Sequence, residues 1–220
     1  MAGWPPPPPA RARPRSRWVP EAGRVITGSA GGLRLEAPGL VTRPLSDRVK
    51  QSLFSLLEAE RADLWGQPVL DLFAGSGAAG IEALSRGAPR AVLVERDGRA
   101  ASVIRHNLQR TGLGARARVV PRDVAAFLGL ASSRVPETPF GSVIIDPPYE
   151  QVQDLLSSLE LLGRPAEGWL GDDAVVVAKH FWKTALPERS GALERVRVRR
   201  FGETALSVYR RRPESAAGGS

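Results

Sequence analysis

From Pro68 to Lys179 the chain alternates short, mostly apolar runs with longer stretches in which apolar residues recur at helical spacing. The runs Val69 to Phe73, Ala91 to Glu95, Arg118 to Pro121, Ser142 to Asp146 and Ala174 to Lys179 predict five strands. Between them, 78–86, 98–111, 124–130 and 152–162 predict helices. Continuously apolar strands alternating with helices predict an α/β fold whose parallel sheet is covered on both faces. Near the carboxyl end the period changes to two. Leu193 to Arg199 and Thr204 to Arg210 alternate around Arg200-Phe201-Gly202-Glu203, which predicts an antiparallel hairpin and a sheet of seven strands in all. Arg24 to Thr27 and Leu33 to Glu36 flank a Gly-rich turn and predict a second, amino-terminal hairpin. Ser46 is placed as the N-cap of a helix over 47–59, with Val49, Leu53, Phe54, Leu56 and Leu57 on its apolar stripe.

Residues 1–23 break this pattern. Five consecutive prolines and then Arg11, Arg13, Arg15 and Arg17 cannot build a core, and they predict a disordered basic tail. The organisation expected is thus a tail over 1–23, a hairpin-plus-helix extension over 24–60, one catalytic domain over 61–212 and a frayed end over 213–220. Nowhere in the 220 residues is there an apolar run near the ~18 needed to span a membrane, and Met1 to Val19 lacks the apolar segment of a secretory signal. The expected setting is the cytoplasm.

The net charge of +8 points to a polyanionic partner, although 28 of the 31 cations are Arg, as a GC-rich genome would also give. The charge is unevenly spread. Residues 1–24 carry five Arg against one acid and 195–212 carry seven Arg against one, so the body between is nearly neutral. Cysteine is absent and His106 and His180 are the only histidines, which argues against thiolate or imidazole metal sites and excludes a Cys nucleophile. Metal-free chemistry is expected.

Two motifs carry chemistry. The first, Asp71-Leu72-Phe73-Ala74-Gly75-Ser76-Gly77-Ala78-Ala79-Gly80, joins the first strand to its helix, where glycines let the backbone approach a ligand. Glu95, at the end of the second strand, is placed to accept hydrogen bonds from ribose hydroxyls, and Asp123 from an adenine amine. As a bare pattern Gly75, Gly77 and Gly80 also fit a dinucleotide site. Asp71 argues for a ligand bearing an ammonium and a sulfonium, as S-adenosylmethionine does, because a carboxylate there would repel a pyrophosphate. The second motif, Asp146-Pro147-Pro148-Tyr149, closes the fourth strand. An Asp acceptor, outward carbonyls fixed by two prolines and an aromatic ring form a receptor for a flat group bearing an NH2.

In this order and spacing the two motifs resemble the class I, S-adenosylmethionine-dependent amino-methyltransferases, which have a Rossmann-like fold. Arg24-Val25-Ile26-Thr27-Gly28 with Gly31-Gly32, Arg43-Pro44-Leu45-Ser46-Asp47-Arg48-Val49-Lys50, and Phe201-Gly202-Glu203-Thr204-Ala205-Leu206 narrow the resemblance to the RsmD family. That family methylates N2 of a guanine in 16S ribosomal RNA. The resemblance spans about 24–211 and departs from the family pattern at Leu45, at Ser55 and in the extra proline tail. It implies a catalytic amine site of Asp146, Pro147, Pro148 and Tyr149. It implies a cofactor site of Asp71, Phe73, Ala74, Gly75, Ser76, Gly77, Glu95, Arg96, Asp123 and Val124, with S-adenosylmethionine as the cofactor. RNA contact falls to Arg24, Arg34, Arg43, Arg48 and Lys50, and the partner expected is 16S rRNA, free or within a 30S subunit, met by a monomer.

Three other readings stay open on the residues alone: adenine-N6 methylation of DNA or RNA, a non-catalytic RNA-binding module on the same fold, and an NAD-dependent oxidoreductase. His106 reads as a surface residue, His180 as part of a strand-end loop, and Trp169 and Trp182 as packing residues.

Overall fold

The computed structural model describes residues 21–39, 46–60 and 66–212. The basic tail up to Pro20, the Arg43-Pro44 pair and the carboxyl-terminal tail lie outside the described residues. Among these residues ten strands and five α-helices follow one another. β1 (Glu21–Arg24) and β2 (Arg34–Glu36) form the amino-terminal hairpin, and α1 (Asp47–Glu60) follows. The body of the fold runs β3 (Val69–Leu72), α2 (Ala78–Ser85), β4 (Ala91–Val94), α3 (Gly98–Thr111), β5 (Ala117–Val120), α4 (Val124–Leu128), β6 (Phe140–Ile145), α5 (Val152–Leu162) and β7 (Leu170–Phe181). It ends with β8 (Arg189–Ser190), β9 (Leu193–Phe201) and β10 (Thr204–Arg211).

The main sheet has eight strands in the order β5-β4-β3-β6-β7-β10-β9-β8. The first five are parallel, β10 slots antiparallel between β7 and β9, and β8 adds a two-residue edge to β9. The expected seven strands therefore become eight. β8 is too short to leave a periodic signature, and it forms because Arg189 and Ser190 lie opposite Glu194 and Leu193.

The apolar runs are buried on both faces, as parallel strands require. On one face Leu70, Val92, Val143 and Val176 pack beneath Phe127 of α4 and Leu155 and Leu159 of α5. On the other, Val69, Ile144, Val175 and Val177 meet Leu53, Phe54 and Leu57 of α1 together with Ala79 and Ala83 of α2. Trp169 is a packing residue, its ring 5.1 Å from that of Phe127 and its Nε1 donating to the Leu128 carbonyl at 3.2 Å. None of the described helices is long and apolar enough to cross a membrane.

The amino-terminal hairpin departs most from its sequence pattern. Its strands are Glu21–Arg24 and Arg34–Glu36, not 24–27 and 33–36, so β1 begins inside the stretch whose composition reads as tail. The cause is α2. Buried Glu82 accepts from the amides of Ile26 at 2.6 Å and Thr27 at 3.1 Å, which takes both donors out of any ladder. Ser85 completes the clamp, its hydroxyl accepting from the Ala30 amide and its carbonyl from the Ser29 amide, each at 2.9 Å. Gly28 passes so close that a Cβ there would stand 1.8 Å from the Ser85 carbonyl oxygen.

Candidate active site

Strand order reverses at β3: the chain proceeds to β4 and β5 on one side, then returns to place β6 on the other. In an open α/β sheet this switch point opens a crevice beyond the carboxyl ends of the strands. A cleft of about 820 Å³ lies here. Asp71, Phe73, Ala74, Gly75, Ser76, Glu95, Arg96, Asp123 and Val124 line one side, and Asp146, Pro147, Pro148 and Tyr149 the other. Of the thirteen catalytic and cofactor residues other than Gly77 expected from sequence, all border this single space. Gly77 does not. Its φ of 79° starts α2, and a Cβ there would press within 3.1 Å of Ile104 and 3.2 Å of Leu93, so its bareness serves helix packing.

Backbone amides fix the carboxylates of the first side. Asp71, 1% exposed, accepts from the Gly80 amide at 2.8 Å and so satisfies an orphan donor in the first turn of α2, which has no side-chain cap of its own. Burial pushes the Asp71 carboxyl up to about 7; the Gly80 hydrogen bond opposes this, and the charges of Asp146 and Glu95 add to it. Glu95 accepts from the Gly75 amide at 2.8 Å with one oxygen and from the Asp97 amide at 2.8 Å with the other. Asp123 caps α4 through the Ala126 amide at 3.1 Å. The loop between is strained, since Phe73 holds φ at 63°, a region few side chains enter.

The second side is held differently. Asp146 is gripped through Oδ1 by the ammonium of Lys179, from the neighbouring strand β7. That ammonium also lies 5.0 Å from the centre of the Tyr149 ring. Tyr149 shares a 2.6 Å hydrogen bond with Thr204 of β10. The Pro148 carbonyl accepts from Gln151 at 2.9 Å. Among the described residues no hydrogen bond is made to Asp146 Oδ2 or to the Pro147 carbonyl, which leaves two open acceptors on adjacent residues that line the cleft. Gln151, with its amide turned to satisfy its neighbours, accepts from Arg96 at 2.7 Å and so ties the two sides together.

The family model described as conserved hypothetical protein 95 matches residues 23–210. A putative rRNA methyltransferase, YlbH, of Bacillus subtilis is 38% identical over 86% of this chain and 99% of its own length. Ribosomal RNA small subunit methyltransferase D of Escherichia coli is 34% identical over 86% of this chain and 89% of its own. The chain belongs to the RsmD family. Among solved structures, the putative methyltransferase yhhF of Escherichia coli superposes with a TM-score of 0.73 at 32% identity, covering 86% of this chain and 97% of that one. This RsmD-family protein therefore has the class I methyltransferase fold, with one strand more than sequence patterning predicts.

The basic residues expected to meet RNA divide. Arg24 and Arg34 are exposed but engaged, the first with Asp47 at 3.2 Å and the second with Glu21. Arg48 is exposed and makes no ion pair among the described residues. Arg43 lies outside them. Lys50 is fully buried and its amine donates to the Arg24 carbonyl, so it cannot serve as a phosphate contact; it fastens α1 to β1. Burial lowers its pKa, against the nearby carboxylates of Glu82 and Asp47.

His106 is at the surface, 3.2 Å from Glu36. His180 is not in a loop but in β7, buried, its Nε2 2.9 Å from the Ser207 hydroxyl, and burial lowers its pKa. Trp182 lies at the surface, its indole 37% exposed and set against the Phe181 ring and the Arg200 guanidinium.

Sequence reasoning misses Lys179, Thr204 and Asn107. Asn107 of α3 donates to the carbonyls of Glu36 at 2.9 Å and Ser76 at 3.0 Å and accepts from the Glu36 amide at 2.9 Å. It thereby joins the hairpin to the glycine loop. A buried Asn on an amphipathic helix is the one signal that could have drawn attention to it.

Proposed function

We propose that this protein transfers the methyl group of S-adenosylmethionine to the exocyclic N2 amine of a guanine in small-subunit ribosomal RNA. The observation that carries the reading is the pair of open acceptors, Asp146 Oδ2 and the Pro147 carbonyl, beside the Tyr149 ring and across the same cleft from Glu95 and Gly75.

The residues present fit that cofactor. A Cβ on Gly75 would meet nothing closer than the Phe73 carbonyl at 4.0 Å, so the loop presents a bare backbone cradle. Glu95 keeps acceptor capacity beyond its two amide bonds for ribose hydroxyls, since a carboxylate offers about four lone-pair sites. Asp123 and Val124 would hold the adenine, and Asp71 with the Gly75 loop the methionine end. Once bound, S-adenosylmethionine supplies an electrophilic methyl group on a sulfonium.

The protein's own part is positioning and charge. A guanine N2 lone pair is delocalised into the ring and is a weak nucleophile. Two acceptors holding its hydrogens favour the pyramidal geometry that the nitrogen reaches during attack, which is stabilisation specific to the transition state. The bound cofactor would supply the methyl carbon to that nitrogen and take the leaving electron pair on its sulfur. Asp146 is placed to receive the proton the nitrogen then sheds. Lys179 orients Asp146 through its other oxygen, and Thr204 sets the tilt of the ring on which the base stacks. A paired guanine hides its amine, so the base must be unpaired or flipped out.

Family membership and relatives named as small-subunit rRNA methyltransferases support the substrate class. The test is nucleoside mass spectrometry after incubation with 30S subunits, naked 16S rRNA and duplex DNA. N2-methylguanosine in rRNA is expected; N6-methyladenosine alone would overturn the guanine reading.

A further inference from the structure

Beyond the cleft, on the side of β7 and β10, an aromatic path leads to the surface. The Tyr149 ring centre lies 6.1 Å from that of Phe181, and Phe181 lies 6.2 Å from Trp182. Trp182 follows the last residue of β7, and its amide donates to the carbonyl of Glu203 at 3.0 Å, in the β9–β10 turn that borders the cleft. The indole is 37% exposed, one of only four large apolar side chains exposed among the described residues. A polar cover lies over it. The Arg200 guanidinium carbon sits 3.5 Å from the indole centre, and the Lys183 ammonium 5.3 Å. Arg200 Nε is fixed in place by the Gly202 carbonyl at 2.8 Å.

Arg200, Lys183 and the adjacent Arg199 make no ion pair with any described residue, whereas Arg195 and Arg197 of β9 and Arg211 of β10 do. A guanidinium plane held on an indole, with unpaired positive charge around it, matches two features of a nucleotide at once: a flat π-face to stack and a phosphate to neutralise. An apolar protein partner would leave these cations buried and unpaired.

We propose that Trp182 and Arg200, with Lys183 beside them, form the platform that binds a single-stranded nucleotide neighbouring the target base, its base stacked on the Arg200–Trp182 pair and its phosphate at Lys183. The proposal deepens the function proposed above and rests on it, because the platform is the outward continuation of the Tyr149 site. A base flipped into the cleft drags its neighbours toward the rim, and a stack there would hold the strand open.

The experiment measures KM for 30S subunits by methyl incorporation and, separately, affinity for S-adenosylhomocysteine by calorimetry. Trp182→Ala is expected to raise the RNA KM about tenfold, within the range of base–aromatic stacking, and leave S-adenosylhomocysteine affinity unchanged. Trp182→Phe restores most of the loss. Arg200→Lys does not, since an ammonium has no plane to stack. Lys183→Ala lowers the slope of log affinity against log salt by about one. A short single-stranded RNA should quench the fluorescence of the wild type more than that of Trp182→Phe.

An unchanged KM with equal quenching in the two proteins would overturn the platform, as would a parallel loss of S-adenosylhomocysteine affinity in Trp182→Ala. The reading of the catalytic site fails separately. Methylation of a base other than guanine would overturn it and leave the platform standing, because incorporation is counted whatever base receives the label.

Discussion

The two walls of the cleft hold their carboxylates by opposite means. On the wall built at the ends of β3, β4 and β5, Asp71, Glu95 and Asp123 are each bound to backbone amides of the loop or helix they serve. On the β6–β7 wall, Asp146 is bound to the side chain of Lys179, and its motif partner Tyr149 to that of Thr204. Amide partners cannot leave without unfolding the local chain, whereas a lysine can rotate away. The contrast suits the two tasks proposed above: one wall would receive the same small molecule in every cycle, and the other would admit a base carried by a large polymer.

The comparison can be broken most severely at Asp146. Asp146→Ala should lower kcat by about 10²–10³-fold, as loss of a transition-state hydrogen-bond partner does elsewhere, and leave binding of S-adenosylhomocysteine intact by calorimetry. Loss of both together would mean that the walls are not separable.

Asp71 tests the opposite wall. Its carboxyl titrates at about 7 in the folded protein, against 3.8 for the ordinary group, so between these values the folded state binds more protons than the unfolded one. Stability must then fall as pH rises through that window. Asp71→Asn keeps an acceptor for the Gly80 amide and removes the ionisation. The wild type should therefore lose a few kcal/mol relative to the variant between about pH 4 and 7, read from urea denaturation across pH. A flat difference would refute the buried-carboxyl account.

Smaller effects should follow on the exchangeable wall. Lys179→Met should lower stability by about 1–3 kcal/mol, because it leaves the largely shielded Asp146 carboxylate without its partner, with no change in S-adenosylhomocysteine affinity. Tyr149→Phe, which removes the bond to Thr204, should cost about 0.5–1 kcal/mol in the same denaturation assay. A larger cost for either would place that wall among the rigid elements.

This division also explains what could be read without coordinates. The glycine loop, Glu95 and the Asp146–Tyr149 motif lie at strand ends, and strand ends are set by local apolar runs, so spacing alone brings them to one crevice. Lys179 and Thr204 reach the same crevice through pairings 33 and 55 residues long, which leave no local trace. Lys50 misleads for the same reason: in an Arg-Pro segment it reads as a surface cation, and its partners in the interior include the Arg24 carbonyl, 26 residues away. Gly77 fits its motif but answers to Leu93 and Ile104. The hairpin register could not be anticipated because Glu82 competes for its amides from another element.

That competition bears on how such an enzyme can be re-engineered. The hairpin is sutured to the catalytic body by Glu82 and Ser85 of α2 and by Asn107 of α3, and Asn107 also grips Ser76 in the glycine loop. A chimera that imports another hairpin to change which RNA is approached must bring its own suture residues, or the transplanted arm will pull on the loop as well. The hairpin is thus no detachable module, and selection for a new target would have to act on both helices together with the arm.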